Sequence, residues 1–164
     1  MSRAFVKEDG PDNEPLPDLP ISPHPNLVTP RGLADLRRRL AEAQATLQAL
    51  RAREDRLDRL PEAAAERDIR YLEARIASAI PVDPPAAPAD EVAFGHRVTV
   101  EDEAGIETTW QITGEDEASA ADHRIAPHSP LGRALIGARA GDEVVWTRPA
   151  GQVTLLVKRI ACPD

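Results

Sequence analysis

Cysteine, aromatic residues and long apolar runs are all scarce in this sequence of 164 residues. Its one cysteine, Cys162, excludes an intramolecular disulfide framework and any zinc site built from cysteines. No apolar run approaches the ~18 residues that span a bilayer, and the N-terminal MSRAFVKEDG lacks the apolar stretch of a signal peptide. Aromatic residues make up 3% of the chain, so any core is aliphatic and small. We therefore expect a cytoplasmic protein that makes no contact with membranes.

Positive charge is in deficit, since the formal net charge is −8. Residues 1–28 contain 2 basic and 5 acidic residues, residues 29–80 contain 11 and 9, and residues 81–164 contain 7 and 14. Autonomous binding of duplex DNA requires a basic face that neutralises phosphates. We therefore expect no such binding, and any contact with nucleic acid would be made through a partner protein.

The N-terminal segment is rich in proline and acids. Seven prolines fall between residues 8 and 30, with few large apolar side chains among them. Such a segment cannot bury enough surface to offset its chain entropy. Residues 1–28 are therefore predicted to form a largely disordered arm. It is interpreted as a solubilising tail or, through Phe5 and Val6, as a docking motif.

Two amphipathic helices follow the arm. Thr29 and Pro30 have the form of an N-cap followed by proline at the first helical position. A helix is predicted from there to the mid-50s, and a second from about Pro61 until Pro81 ends it. The apolar stripes are Leu33, Leu36, Leu40, Ala43, Leu47, Leu50 and Leu57, then Ala65, Ile69, Leu72, Ile76 and Ala79. The sequence therefore predicts an antiparallel coiled-coil hairpin over residues 29–80. Because its two helices bury each other's apolar stripes, a monomer is favoured.

The remaining sequence predicts a short linker and a small α+β domain. Residues 81–91 are proline-rich, and residues 92–164 show a periodicity of two interrupted by one short helix. Strands joined by turns at Ala104-Gly105 and Pro149-Ala150-Gly151 flank a helix capped by Ser129. The order β, β, α, β, β predicts a small antiparallel sheet packed on one helix. The inward candidates are Val98, Val100, Trp110 and Ile112.

Some residues in the C-terminal half suggest catalysis only at first sight. Asp122, His128 and Ser129 contain the residue types of a nucleophilic triad, but no nucleophile elbow surrounds the serine. Ser129 is better interpreted as a helix cap. His123 and His128 are five residues apart, which is not the spacing of a metal-binding pair on a helix. We therefore expect no stand-alone active site.

An acidic turn, REDRLDRLPEAAAERD, separates the two predicted helices. Asp55 and Asp58 would lie on one side of the hairpin's end if residues 54–58 keep helical geometry, flanked by Glu54 and Glu62. Such a pair could bind one face of a Mg²⁺ ion that keeps most of its waters. The same acids could equally be solvated side chains among arginines, and the spacing alone leaves both interpretations open.

Several segments together resemble the Gre family of bacterial transcript-cleavage factors, GreA and GreB. The strongest is RIAPHSPLGRALIGARAGDEVVWTRPAGQVTLLVKRI, which is similar to the family's Ser-Pro turn, short helix, Gly-Asp-Glu-Val and Pro-Gly hairpin. VAFGHRVTVED and WQITGEDEA resemble its first two strands, and VTPRGLADLRRRL its helix start. The resemblance covers roughly residues 29–160, with the segments in the family's order.

The resemblance implies an antiparallel coiled coil and an FKBP-like domain that docks at the secondary channel of RNA polymerase. In the family, the acidic tip helps hold a second Mg²⁺ at the polymerase active centre, where backtracked RNA is cleaved. The chain would thus have no cofactor of its own and would meet nascent RNA only through the polymerase. By motif, His128, Ser129 and Pro130 match the docking turn. Asp55 and Asp58 would be the catalytic, metal-facing acids, with Glu54 and Glu62 beside them.

The tip departs from the family's pattern. DRLD offers the acid spacing but lacks the family's glycine, asparagine and tyrosine, and the hairpin is shorter by about one heptad per helix, or ~10 Å of reach. One hypothesis is a factor that stimulates RNA cleavage. A second is a non-cleaving regulator that occupies the channel. A third is an FKBP-like isomerase or adaptor, to whose cleft Trp110 and Trp146 would contribute.

Overall fold

A computed structural model of the chain describes residues 15–55, 57–87 and 89–163. Half of the predicted arm, residues 1–14 with Phe5 and Val6, therefore lies outside the described residues. Within those ranges the chain divides into two compact units, one of residues 15–21 and 36–77 and one of residues 22–35 and 78–163. No helix in these ranges is both long enough and apolar enough to cross a bilayer.

The first unit is built on two helices, α1 (Pro30–Arg51) and α2 (Leu60–Ala77). The first residues of α1 belong to the second unit, where the Thr29 hydroxyl accepts a hydrogen bond from the Gly32 N–H at 3.0 Å, as expected of an N-cap. An ion pair of 2.6 Å joins Arg51 at the end of α1 to Glu66 on α2. The predicted apolar stripes supply the buried residues Leu36, Leu47, Ala65 and Leu72.

The described part of the arm differs from the disordered segment that the composition predicts. In the first unit, the Arg70 side chain on α2 donates to the Asp18 carboxylate at 2.6 Å and to the Leu16 carbonyl at 2.9 Å. Each proline fixes one backbone angle in advance, which lowers the entropy lost on ordering. Long-range polar contacts, which composition does not reveal, therefore order residues 15–21 against α2.

The arm continues as part of the second unit. Strand β1 (Leu27–Val28) pairs in parallel with β2 (Ile80–Pro81), with Leu27 opposite Ile80. The side chains of Asn26 and Val28 are buried. Residues 26–28 are therefore integrated into the domain that the sequence places more than fifty residues later.

A five-stranded sheet forms the centre of the second unit. Its strands are β3 (Arg97–Glu101), β4 (Glu107–Ile112), β5 (Arg124–Ile125), β6 (Glu143–Arg148) and β7 (Gly151–Ala161), in the spatial order β5-β4-β3-β7-β6. The pairs are antiparallel except that β5 runs parallel to β4. The predicted α+β class is confirmed, but the sheet is mixed and not antiparallel as predicted. The sequence did not reveal β5, because a strand of two residues is too short to show a periodicity of two.

Helix α3 (Pro130–Leu135) packs against one face of this sheet. Its Leu131 and Leu135 join Val98, Val100, Ile112, Leu155 and Val157 in an aliphatic core. Of the predicted inward residues, Val98, Val100 and Ile112 are buried, whereas Trp110 is half-buried at the edge of the core. Trp110 meets Trp146 edge-on, with centroids 6.1 Å apart. Both indoles are thus packed on the core and on each other.

Candidate functional site

The predicted docking turn, His128, Ser129 and Pro130, leads into α3. The Ser129 hydroxyl accepts a hydrogen bond from the Gly132 N–H at 3.0 Å and donates one to the Ala126 carbonyl at 2.7 Å. Pro130 occupies the first turn of the helix, where it sacrifices no hydrogen bond. The prediction that Ser129 caps this helix is confirmed. Because its hydroxyl makes both of these bonds, it is not presented as a nucleophile.

Close backbone packing makes this turn rigid. A Cβ added at Gly132 would lie 2.1 Å from the Ala126 carbonyl oxygen and 2.8 Å from that of Pro127. Only glycine allows the first turn of α3 to approach the preceding segment this closely. The turn is accessible from outside, since Pro130 is exposed and His128 and Ser129 are partly exposed. It is therefore a preorganised surface feature.

His24, which sequence reasoning did not single out, contributes to the same surface. Its imidazole stacks on that of His128, with centroids 3.9 Å apart and planes inclined by 12°. The Ser22 hydroxyl nearby donates to the Glu115 carboxylate at 2.8 Å. A histidine between two prolines was the only local signal, and it says nothing about where the ring lies. The surface around the turn thus includes part of the N-terminal segment.

The acidic tip is a loop and not a continuation of α1. The helix ends at Arg51, and residues 52–59 are not helical where they are described. The Asp55 carboxylate accepts from the Leu57 N–H at 3.0 Å, and the Asp58 carboxylate accepts from the Leu60 N–H at 2.9 Å. Helical geometry was the condition under which Asp55 and Asp58 would lie on one side. The described residues of this loop do not meet it, because the two aspartates bond to nearby backbone groups in place of a helical ladder.

The four predicted acids occupy two different environments. Glu54, Asp55 and Asp58 are exposed in the loop. Glu62 is buried in the first turn of α2, where it has an interaction partner, and is thus not displayed beside them. Across the part of the chain that is described, no group of three or more His, Cys, Asp or Glu is arranged to hold a metal ion. The tip can offer carboxylate oxygens, but not a complete metal site.

Two leucines give the tip an apolar character that the sequence did not predict. Leu57, expected in the helical seam, is 92% exposed, and Leu60 is 62% exposed. The prediction that Leu57 lies in the helical seam is wrong, because α1 ends six residues before it. Two large apolar side chains are thus exposed in the same loop region as the acids.

The residues dismissed as a triad are engaged in other interactions. The Arg124 guanidinium donates to the Asp122 carboxylate at 2.9 Å. The Ser119 hydroxyl and this guanidinium hold the pKa of Asp122 below its ordinary value. His123 has a left-handed backbone conformation, with φ of 53°, and its ring contacts Trp110 rather than Ser129. The structure therefore supports no triad at these positions.

Part of this chain is similar to known transcription elongation factors. The profile described as "Transcription elongation factor, GreA/GreB, C-term" matches residues 87–161. Transcription elongation factor GreA of Sphingopyxis alaskensis is 41% identical over 95 residues, which are 58% of this chain and 60% of that protein. Transcription elongation factor GreB of Neisseria meningitidis serogroup B is 44% identical over 88 residues, 53% of this chain and 54% of that protein. The chain thus matches little more than half the length of these relatives.

Among solved structures, the GreA factor homolog 1 of Thermus thermophilus is similar to this chain. The two are 26% identical, and the match covers 84% of this chain and 99% of that one, with a TM-score of 0.41. The residues that the family profile matches, 87–161, include all five strands of the sheet and α3. The resemblance inferred from motifs is confirmed, since residues 87–161 of this chain match the model of the GreA/GreB C-terminal domain family.

Proposed function

We propose that this protein is a Gre-type factor that binds bacterial RNA polymerase in the cytoplasm and acts as a monomer. The GreA/GreB C-terminal domain, which is FKBP-like in this proposal, docks at the rim of the secondary channel through His128, Ser129 and Pro130. The observation that carries the proposal is the family match over residues 87–161, on which this rigid and accessible turn lies.

The helices of the first unit form the element that enters the channel. In this proposal α1 and α2 pair as an antiparallel coiled-coil hairpin. Buried Leu47 and Ala65 support the pairing, as does the ion pair of Arg51 with Glu66 near the tip. With 22 residues, α1 is ~33 Å long.

The tip would contribute charge to chemistry that the polymerase performs. Asp55 and Asp58 each use Oδ1 to fix the loop, so the Oδ2 oxygens and the Glu54 carboxylate would face a Mg²⁺ ion. Carboxylate oxygens suit this hard cation, and the polymerase would supply the remaining ligands and the RNA. In two-metal sites such an ion stabilises the attacking or leaving oxygen of a phosphodiester. The chain's role is to position the carboxylates and fix the shape of the loop.

Cleavage of RNA in a stalled, backtracked elongation complex of the cognate polymerase tests this role. Asn at position 55 or 58 can still accept the loop hydrogen bond but carries no charge. Asp55→Asn and Asp58→Asn should therefore abolish acceleration of cleavage while leaving polymerase binding intact. Glu103→Gln, which removes an exposed acid from the β3–β4 turn, is the matched control and should cleave as the parent does. Unchanged cleavage by both aspartate variants would refute the assignment of these acids.

A second candidate function is favoured by the exposed leucines. If Leu57 and Leu60 contact the wall of the channel, the protein would act as a plug that alters initiation or nucleotide entry without cleavage. A Leu57→Ser/Leu60→Ser variant should then relieve inhibition of nucleotide addition, whereas Asp55→Asn should not. The reverse pattern, with cleavage lost in the aspartate variant, would exclude the plug and support the first function.

A further inference from the structure

A polar cleft lies in the second unit, on the face of β3 and β4 opposite the aliphatic core. Side chains alternate along a strand, so Arg97, Thr109 and Gln111 face away from Val98 and Ile112. Arg97 and Gln111 are directly opposite each other in the register of the two strands. The cleft has a volume of about 760 Å³ and is also lined by the first residues of α1 and by the segment after β2.

Three arginines reach this cleft from separate parts of the sequence. Arg31 comes from the first turn of α1, Arg97 from the start of β3 and Arg124 from β5. The lining also contains two carboxylates, Glu117 and Asp122, so cationic side chains outnumber anionic ones in a chain of net charge −8. The described side chains that line the cleft thus have a net positive charge, opposite in sign to that of the whole chain.

The two carboxylates already have partners. Glu117 accepts from the Thr29 hydroxyl at 2.6 Å, from the Thr29 N–H at 3.3 Å and from the Gly114 N–H at 3.2 Å. Asp122 accepts from Arg124 at 2.9 Å. These acids therefore organise the wall of the cleft, Glu117 by joining the start of α1 to the turn after β4. Three guanidinium groups and two carboxylates thus line the cleft.

One donor of Arg124 has no hydrogen-bond partner in the part of the chain that the structure describes. Its Nε–H is buried and has no hydrogen-bond partner among the described residues, although the same guanidinium bonds to Asp122. A buried donor without a partner costs free energy, and such groups call for an explanation such as strain or an ordered water. The preceding residue, His123, also lines the cleft and has φ of 53°, a conformation that non-glycine residues seldom adopt. This conformation closes the 3₁₀ turn of Ala120–Asp122, whose C-cap is His123.

We propose that this cleft binds a small phosphate-bearing molecule of nucleotide size. Guanidinium groups donate paired hydrogen bonds that match the geometry of phosphate oxygens. The Thr109 hydroxyl and the Gln111 amide can supply further donors. The volume lies within the range of roughly 300–1,000 Å³ typical of sites for small ligands. The phosphate groups would lie among Arg31, Arg97 and Arg124, and the proposal is independent of polymerase binding.

Calorimetric titration of the full chain, without polymerase, tests the proposal with ATP, inorganic pyrophosphate and adenosine as probes. ATP and pyrophosphate should bind with a Kd of about 1 mM or tighter, and more weakly as salt increases. Arg31→Gln and Arg97→Gln should each weaken binding about tenfold, since each removes a charged donor. Arg139→Gln, on an exposed arginine outside the cleft lining, is the matched control and should bind as the parent does.

Each outcome of the titrations either supports or overturns the proposal. Binding of ATP that depends on the arginines supports a phosphate-binding cleft, whether or not pyrophosphate binds equally well. Absence of binding by both ATP and pyrophosphate overturns the proposal, as does equal binding by the parent and Arg31→Gln, or adenosine binding as tightly as ATP. Circular dichroism checks the fold of each variant. If Arg97→Gln does not fold, Arg31→Gln decides alone, because Arg31 is exposed in the first turn of its helix.

Discussion

The imidazoles of His24 and His128 are stacked 3.9 Å apart although the two residues are more than one hundred positions apart in sequence. One ring belongs to the proline-rich N-terminal segment and the other to the turn that begins α3. The contact makes the N-terminal segment part of the proposed docking surface. This protein would therefore present to its partner a surface made of two chain segments.

Replacing His24 tests this composite surface. His24→Ala removes a ring from the proposed docking surface and should weaken polymerase binding by a factor of about 2–10. His24→Phe, which keeps a flat ring, should retain most of the affinity. His123→Ala is the control, since that histidine is also exposed but contacts Trp110. Equal affinities for the parent and His24→Ala would show that the segment takes no part in docking.

The cap of α3 should be measurable as stability. Ser129→Ala removes the acceptor for the Gly132 N–H and the donor to the Ala126 carbonyl. We expect the free energy of unfolding to fall by about 1–2 kcal/mol, as for other lost N-caps. Urea unfolding followed by circular dichroism measures the change, and Ser129→Thr, which keeps the hydroxyl, should lose much less. A Ser129→Ala variant as stable as the parent would contradict the role assigned to this hydroxyl.

Glu117 accepts three hydrogen bonds, of which two come from Thr29 at the start of α1 and one comes from the Gly114 N–H in its own turn. Glu117→Gln replaces one acceptor oxygen by an NH₂ group that must face an N–H or O–H donor. The expected loss is about 1–3 kcal/mol of unfolding free energy, because a partly buried donor is left without an acceptor. Thermal or urea unfolding measures it. Glu103→Gln, on an exposed acid, should change stability by less than about 0.5 kcal/mol; a similar loss in both variants would speak against a specific role of Glu117.

His96 should make stability depend on pH. Its Nδ1 accepts from the Ala93 N–H at 2.9 Å, so the neutral ring carries its proton on Nε2, which is buried without a partner among the described residues. Burial lowers the pKa of His96 below 6.5, its ordinary value. The unfolded chain therefore binds the proton more readily, and the contribution to stability is complete above pH ~6.5 and falls as the pH decreases through the folded-state pKa.

The comparison of pH 7.5 with pH 5.5 isolates this effect. The parent should lose more unfolding free energy over this interval than His96→Gln, in which the titrating ring is absent. His123→Gln removes an exposed histidine and should behave as the parent does. If the parent and His96→Gln lose the same amount, protonation of His96 is not linked to folding.

Local signals in the sequence were sufficient for much of the sheet domain. Ser129 followed by proline predicts the cap of α3, and Asp102 closes the β3–β4 turn by accepting from the Ala104 and Ile106 N–H groups, with Gly105 at φ of 77°. These features depend on residues within a few positions of one another. Short-range chemistry therefore determines them.

Features that depend on distant partners were missed. The order of residues 15–21 depends on Arg70, and the surface of the docking turn depends on His24. At the tip, by contrast, two local signals conflict. The apolar period continues to Leu57 and predicts a helix, whereas two aspartates favour local turns, which are what the structure shows. The convergence of Arg31 and Arg97 on one cleft likewise requires the fold to be known.

Binding of the full chain to the cognate bacterial RNA polymerase tests the central claim most directly. Fluorescence anisotropy of the labelled protein should show saturable binding. His128→Ala in the turn should weaken that binding about tenfold or more, equivalent to about 1.4 kcal/mol, while Asp55→Asn at the tip should bind as the parent does. No saturable binding, or equal binding by His128→Ala, would contradict docking through this turn.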